Sequence, residues 1–381
     1  MSTNKKIRIL HAIRQGKVGG GETHVLDLVN ALDKDHFESV ILSFTEGPMV
    51  DKLRADGFKT YVVHTEKPFD FKVWTAVKGI VANEGINLIH AHGTRANSNT
   101  FYAARSLKIP LIYTVHGWSF HPDQSKLVKM IRTQSERLLV SLANKTICVS
   151  KSNLEEGKRK FNMPRATVIV NGINQVKFNP DKAYRDVRAE LGVDKDLILV
   201  GYVARITAQK APLTFLKAIA ELPENLPVKF LIVGDGDLKP QMLALASELK
   251  LNSRIIFQDF RSDIPDVLAA VDIFCLPSLW EGLPIALLEA MAMKKAIVAS
   301  EIDGINDLIV HMKNGLLVPV LKPGLLKDAL ETLVSDAGLR ERLGKEAGAT
   351  VNEKYNVQLM TENIASVYRQ VLQEFATKTK A

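Results

Sequence analysis

Short apolar runs alternate along this chain with longer segments whose apolar positions recur every three or four residues. KIRILHAI, ESVILSF, KTYVVH, INLIHAH, PLIYTVHG and KTICVS are continuous apolar stretches closed by turn or polar residues, the pattern of buried strands. THVLDLVNAL, WTAVKGIVANEG and NTFYAARSLK lie between them with helical spacing. Such alternation predicts a mostly parallel sheet covered by helices on both faces. The pattern then restarts. DLILVGYVA, VKFLIVGDG, RIIFQDF, DIFCLPS, KKAIVAS and NGLLVPV read as strands, with PLTFLKAIAEL and KPQMLALASELK among the helices between them. The fold class expected is therefore α/β, as two Rossmann-like domains in series. The first covers residues 1–172 and the second residues 173–360, with the boundary in TVIVNGINQVKFNP, where Gly172, Asn174 and Pro180 punctuate the chain. A long helical pattern, NVQLMTENIASVYRQVLQEF, runs into residues 361–381 and is free to cross back to the first domain.

Charge changes this picture in one respect. Through Gly172 there are 25 Lys and Arg against 15 Asp and Glu; the remainder has 25 against 27. The basic excess of the whole chain thus belongs to its first half. An ordinary solvated surface is one reading; attraction to an anionic membrane or an acidic substrate is the other. KLVKMIRTQSERLL, residues 126–139, sharpens the second, because Lys126, Lys129, Arg132 and Arg137 share an amphipathic segment with Leu127, Met130 and Ile131. No nucleic-acid motif is present, so nucleic acid is not an expected partner. Cys148 and Cys275 sit in strand runs and read as buried thiols of a reducing compartment. MSTNKKIRIL has no sustained apolar core or cleavage site, and no run approaches the roughly 20 residues that span a bilayer. A cytoplasmic protein, peripheral on the inner membrane face, is expected.

Ligands of parallel sheets bind at the carboxyl ends of the strands, so the chemistry is sought in the strand-to-helix turns. PSLWEGLPIALLEAM places Glu281 before a helix start and Glu289 inside the helix, in an otherwise apolar run. Pro284 suits the first helical turn, and the free N–H groups around Leu283, Pro284 and Ile285 (Pro284 itself has none) suit an anion such as phosphate. Glu281 is placed to accept hydrogen bonds from ligand hydroxyls and Glu289 from a second polyol. A helix cap and a buried ion-pair partner are the plainer alternatives. GKVGGGETHV follows the first strand, where Gly19, Gly20 and Gly21 let a ligand approach the backbone; it fits neither the dinucleotide fingerprint nor the P-loop. GYVARITAQKAP brings Arg205 and Lys210 into one turn, a pairing that suits a diphosphate. In VGDGDLKP the flanking glycines, Gly234 among them, fit a backbone-lined nucleotide turn better than Asp235 and Asp237 fit a metal. His116 ends a strand as a candidate ligand-facing group. His90 and His92 alternate on another, but no third metal ligand accompanies them in the sequence.

Together and in this order, these motifs resemble the retaining glycosyltransferases of the GT-B fold, family 4. The resemblance runs along nearly the whole chain and is strongest in PSLWEGLPIALLEAMAMKKAIVAS, where Glu281 and Glu289 match the E-x7-E region. It implies two Rossmann-like domains facing each other across a cleft. It also implies metal-independent transfer from a nucleotide-sugar, with a UDP-sugar favoured, to a glycan or lipid-linked acceptor in cell-surface polysaccharide synthesis. Carried over by position, Arg205 and Lys210 would hold the donor diphosphate. Glu281 would bind the transferred sugar and Glu289 the ribose. Gly20 would approach the diphosphate, His116 the reaction centre, and the backbone at Leu283, Pro284 and Ile285 the sugar and phosphate. The nucleotide-sugar is a substrate and no cofactor is implied. The chain departs from the family's habit at Ala204, Ala211-Pro212, Asn174 and Asp303-Gly304-Ile305. A nucleotide-sugar epimerase of the same fold and a catalytically silent binding subunit remain as alternatives.

Overall fold

The computed structural model describes residues 6–16, 19–121 and 124–380. Lys17 and Val18 of the glycine motif, and the chain ends at residues 1–5 and 381, lie outside the described residues. The chain divides into two compact units, residues 1–172 with 357–381, and residues 173–356.

The first unit is built on a seven-stranded sheet: β1 (Ile7–Ile13), β2 (Phe37–Ser43), β3 (Lys59–Val62), β4 (Leu88–His92), β5 (Leu111–Val115), β6 (Lys145–Cys148) and β7 (Ala166–Val168), in the order β3-β2-β1-β4-β5-β6-β7. Every pairing is parallel, so both faces must be covered and the strands read as unbroken apolar runs. Alternate residues of β1 serve the two faces. Ile9 packs in a core with Val357, Met360, Ile364 and Tyr368 of the last helix, whereas Leu10 and Ala12 pack with Val73, Val77 and Val81 of the helix Phe71–Asn83. The last helix, Val357–Lys380, therefore belongs to the first unit. It begins three residues before the expected domain limit at 360, because its apolar stripe already engages that core at Val357 and Met360.

The second unit carries a six-stranded parallel sheet: β8 (Ile198–Val203), β9 (Val228–Val233), β10 (Ile255–Gln258), β11 (Ile273–Leu276), β12 (Ala296–Ser300) and β13 (Leu316–Val318), ordered β10-β9-β8-β11-β12-β13. In both sheets the order reverses beside the first strand, between β1 and β4 and between β8 and β11. Chain connections on either side of such a point diverge to opposite faces and leave a crevice at the strand carboxyl ends. Among the described residues, no helix is long and apolar enough to cross a membrane. Both cysteines are buried and free. Burial pushes the Cys148 thiol up to about 12 and the Cys275 thiol further, so both stay protonated and inert.

Candidate functional site

In the second unit, β8 runs into the turn that carries Arg205 and Lys210. A 3-10 turn, Ala208–Lys210, leads to Ala211 in the left-handed region (φ 48°, ψ 49°), and Pro212 opens the helix Pro212–Ala220. Glycine occupies that conformation without a Cβ clash and alanine does not. Alanine at this position is thus a local strain held by its surroundings. Beneath the turn, the Tyr202 hydroxyl donates to the Lys210 carbonyl at 3.2 Å.

Across the reversal point, β11 ends in the loop that holds Glu281. The two turns are stitched together. Leu279 N–H donates to the Gln209 carbonyl at 2.8 Å, and the Gln209 side-chain amide donates to the Trp280 carbonyl at 2.8 Å. The Lys210 ammonium is ion-paired with the Glu281 carboxylate, and these side chains are only 13% and 7% exposed. Sequence spacing alone gave no sign that these two residues, 71 positions apart, are partners. Arg205 is exposed and forms no ion pair among the described residues, so its guanidinium is available to an anion. The helix Ile285–Ala292 starts from Pro284, which stands at the N-cap and not in the first turn as expected from sequence, and no side chain caps it. An uncapped start presents N–H groups and the positive end of the helix dipole. Glu289 lies within this helix, buried at 9% exposure.

Two glycine turns hold this arrangement from below. At Gly234 (φ 149°) an added Cβ would stand 2.0 Å from the Ala204 carbonyl oxygen; at Gly236, 2.3 Å from that of Ile206. These glycines let the turn after β9 pack on the backbone that carries Arg205, so Gly234 is required by the protein's own chain. At Gly304 (φ 82°) a Cβ would stand 2.4 Å from the Gly282 carbonyl oxygen and 2.7 Å from that of Glu281. Gly304→Ala is accordingly expected to cost about 2–5 kcal/mol, the sum of positive-φ strain and overpacking. It should also displace Glu281. Thermal unfolding and donor titration check this, and an unchanged melting temperature with unchanged donor affinity would refute it. Asp235 is exposed and faces Lys239 at 3.8 Å, an ordinary surface pair.

In the first unit the glycine motif is not the turn expected. Gly19 is the N-cap and Gly20 and Gly21 already belong to the helix Gly20–Ala31, which has no side-chain cap. The His116 ring lies 3.5 Å from where a Cβ on Gly21 would be, an ordinary van der Waals contact, whereas a Cβ on Gly19 would stand 2.6 Å from a Glu22 carboxylate oxygen. Glu22, buried at 2%, approaches Arg14 at 3.6 Å.

His116 is one member of a histidine cluster. The His24 and His116 rings are 4.8 Å apart, His90 and His92 4.0 Å, and His11 and His92 6.0 Å. His92 Nδ1 and His116 Nε2 are 3.3 Å apart. All five are held below the ordinary imidazole value. Burial is the first cause in each case, and neighbouring imidazoles add to it for all but His24. His11 falls to about 3 and His24 to about 4. The sequence offered His90 and His92 no third metal ligand, but the fold does. The nitrogens of His11, His90 and His92, and of His24, His92 and His116, form two triads lying within 4.8 Å. His90, however, uses both nitrogens in hydrogen bonds, Nδ1 with the Tyr368 hydroxyl at 2.6 Å and Nε2 with Thr114 Oγ1 at 2.7 Å. His90 therefore has no lone pair left for a metal, which removes one member of the first triad. Tyr368, on the last helix, is a part of this network that sequence reading missed, since nothing local marks it.

The sequence of the second unit matches the model of the family Glycosyl transferases group 1 over residues 184–350, and that of the first matches Glycosyltransferase Family 4 over residues 18–176. The chain is 27% identical to an Escherichia coli UDP-Gal:alpha-D-GlcNAc-diphosphoundecaprenol alpha-1,3-galactosyltransferase, over 96% of this chain and 98% of that protein. It is 30% identical to an alpha-D-kanosaminyltransferase of Streptomyces kanamyceticus, over 74% and 77% of the two chains. Among solved structures, Anabaena HepE with UDP and glucose superposes with a TM-score of 0.84 at 23% identity, over 95% of this chain and 99% of that one.

Proposed function

The chain belongs to the glycosyl transferases group 1 family, and from that premise we propose that it moves a sugar, with retention, from a UDP-sugar to a lipid-linked glycan at the cytoplasmic membrane face. It is a glycosyltransferase of GT-B fold. The finer reading rests on one observation above all: Arg205 and the Lys210–Glu281 pair stand beside an uncapped helix start, at the reversal point of the second sheet. The E. coli relative named above uses UDP-Gal and a diphosphoundecaprenol acceptor, which supports the choice of donor and acceptor.

Cleaving a glycosyl phosphate bond leaves positive character on the sugar and negative charge on the departing diphosphate. Arg205 and Lys210 supply two preorganised positive charges for that diphosphate, and the N–H groups from Ile285 onward supply dipoles. With the diphosphate taking over Lys210, Glu281 is released to accept from hydroxyls of the transferred sugar. Glu289 is assigned to the ribose. Gly20 and His116 keep the roles that the resemblance implies, toward the diphosphate and the reaction centre. Burial, with His24 and Arg14, keeps His116 neutral, so it adds no positive charge beside a sugar that is itself becoming positive. The two fixed cations do the work that a divalent metal does in other transferases, and we assign no metal to the reaction.

Incubation with UDP-, GDP- and ADP-sugars should release UDP slowly from one donor, with and without a chelator. Glu281→Ala should abolish that release. Release of GDP or ADP instead, or loss of activity on chelation, would overturn the donor or the metal-free assignment respectively. Neither the epimerase nor the silent-subunit alternative is favoured by the family's relatives.

A further inference from the structure

The helix Lys126–Leu142 of the first unit has two faces of unusual character. Glu136, Leu139 and Val140 point inward and are buried. Glu136 accepts from Thr94 Oγ1 at 2.7 Å and from the Tyr113 hydroxyl at 2.8 Å, which locks the helix to its sheet. The opposite face is mostly apolar, with Gln134 the polar residue within it. Leu127, Met130, Ile131 and Leu138 are 63%, 56%, 55% and 47% exposed, and fall within an arc of about 100° at helical spacing. A surface helix of a globular protein normally turns that face to its core. Lys126, Arg132 and Arg137 flank the ridge, Lys129 lies toward the inward side, and the helix's single acid is the buried Glu136. Basic charge continues beyond it. The Arg137 guanidinium donates to the Lys160 carbonyl at 3.3 Å, and a groove of about 440 Å³ beside it is lined by Arg137, Ser141, Thr146, Asn162 and Arg165.

We propose that this helix seats the protein on an anionic phospholipid bilayer, its Leu127, Met130, Ile131 and Leu138 ridge entering the headgroup boundary while the flanking cations meet lipid phosphates. Charge complementarity decides the occupant. A largely apolar ridge with basic shoulders and no exposed acid on its helix suits a surface that is apolar beneath and negative above. A second copy of the same helix would bring like charges together. The inference rests on the lipid-linked acceptor proposed above, since such an acceptor is met only at a membrane.

The full chain should co-sediment with vesicles of phosphatidylglycerol and phosphatidylethanolamine, without donor or acceptor, and bind phosphatidylcholine vesicles at least about tenfold more weakly. Met130→Ser/Ile131→Ser should weaken binding by about tenfold or more. Both positions are exposed, so thermal unfolding should not change. Because Cys148 and Cys275 are buried, a thiol-directed fluorophore on Ile131→Cys reports this helix alone and should shift to the blue on the anionic vesicles. No sedimentation of the wild-type chain, or equal binding by the serine variant, would overturn the proposal. So would a lipid-independent blue shift that grows with protein concentration, which would make the ridge a self-association surface. If vesicles bind but a water-soluble acceptor is glycosylated equally well, the membrane surface stands and the lipid-linked acceptor falls.

Discussion

Lys210→Ala is expected to lower kcat/KM for transfer by about 10²–10³-fold, the effect of removing one preorganised charge from a site where negative charge develops. Arg205→Ala should behave alike. The two differ in what else they disturb. Arg205 is exposed, so its loss should leave stability nearly unchanged. Lys210 is the partner of a carboxylate that is 7% exposed. Removing it strands that charge at a cost of about 3–5 kcal/mol. A purely structural lysine would therefore also reduce activity, by unfolding. Lys210→Met/Glu281→Gln separates the two roles, because it removes both charges and keeps volume. Its melting temperature should return toward that of the wild type while kcat/KM stays low. Recovery of activity with stability would show that the pair is architecture and not part of the chemistry.

The second large effect concerns pH. His11 and His24 are neutral in the folded first unit, with values near 3 and 4, whereas an unfolded chain protonates histidine near 6.5. The unfolded state thus binds more protons across the interval between these values. Stability is complete above about pH 6.5 and falls as pH drops toward the folded values, by about 2 kcal/mol for each of these two residues at pH 5. His90, His92 and His116 shift in the same direction, again chiefly by burial, and add to the loss. The sum is a large fraction of the roughly 5–15 kcal/mol that holds a domain together. The second unit holds His311, for which no comparable burial exists. The first unit should therefore unfold first on acidification. Trp74 and Trp118 report that unit and Trp280 reports the other; single-tryptophan variants melted at pH 7.5 and pH 5 would compare them. Equal midpoints for the first unit at both pH values would refute the account, and His11→Gln should flatten the dependence if it is correct.

What the sequence determined by itself follows from local periodicity. Strands buried on both faces are continuous apolar runs, and helices between them repeat every three or four residues, so two parallel-sheet units were legible before any coordinates. The same holds for Glu281 and Glu289, charges in an apolar run beside a helix start, and for Arg205 and Lys210 in one turn. The amphipathic character of residues 126–139 was also there to read. Which side of that segment faces outward was not, since burial depends on what packs against it. Tertiary structure alone decided how distant segments meet. The Lys210–Glu281 pair joins two turns because β8 and β11 are neighbours at the reversal of the sheet. The glycine motif forms the start of a helix, and His116, just beyond the end of β5, meets it at Gly21. Five histidines from β1, β4, a helix and the end of β5 converge, and Tyr368 reaches one of them from 278 residues away. Such contacts leave no periodic trace, because strand order and register, not spacing along the chain, bring these side chains together.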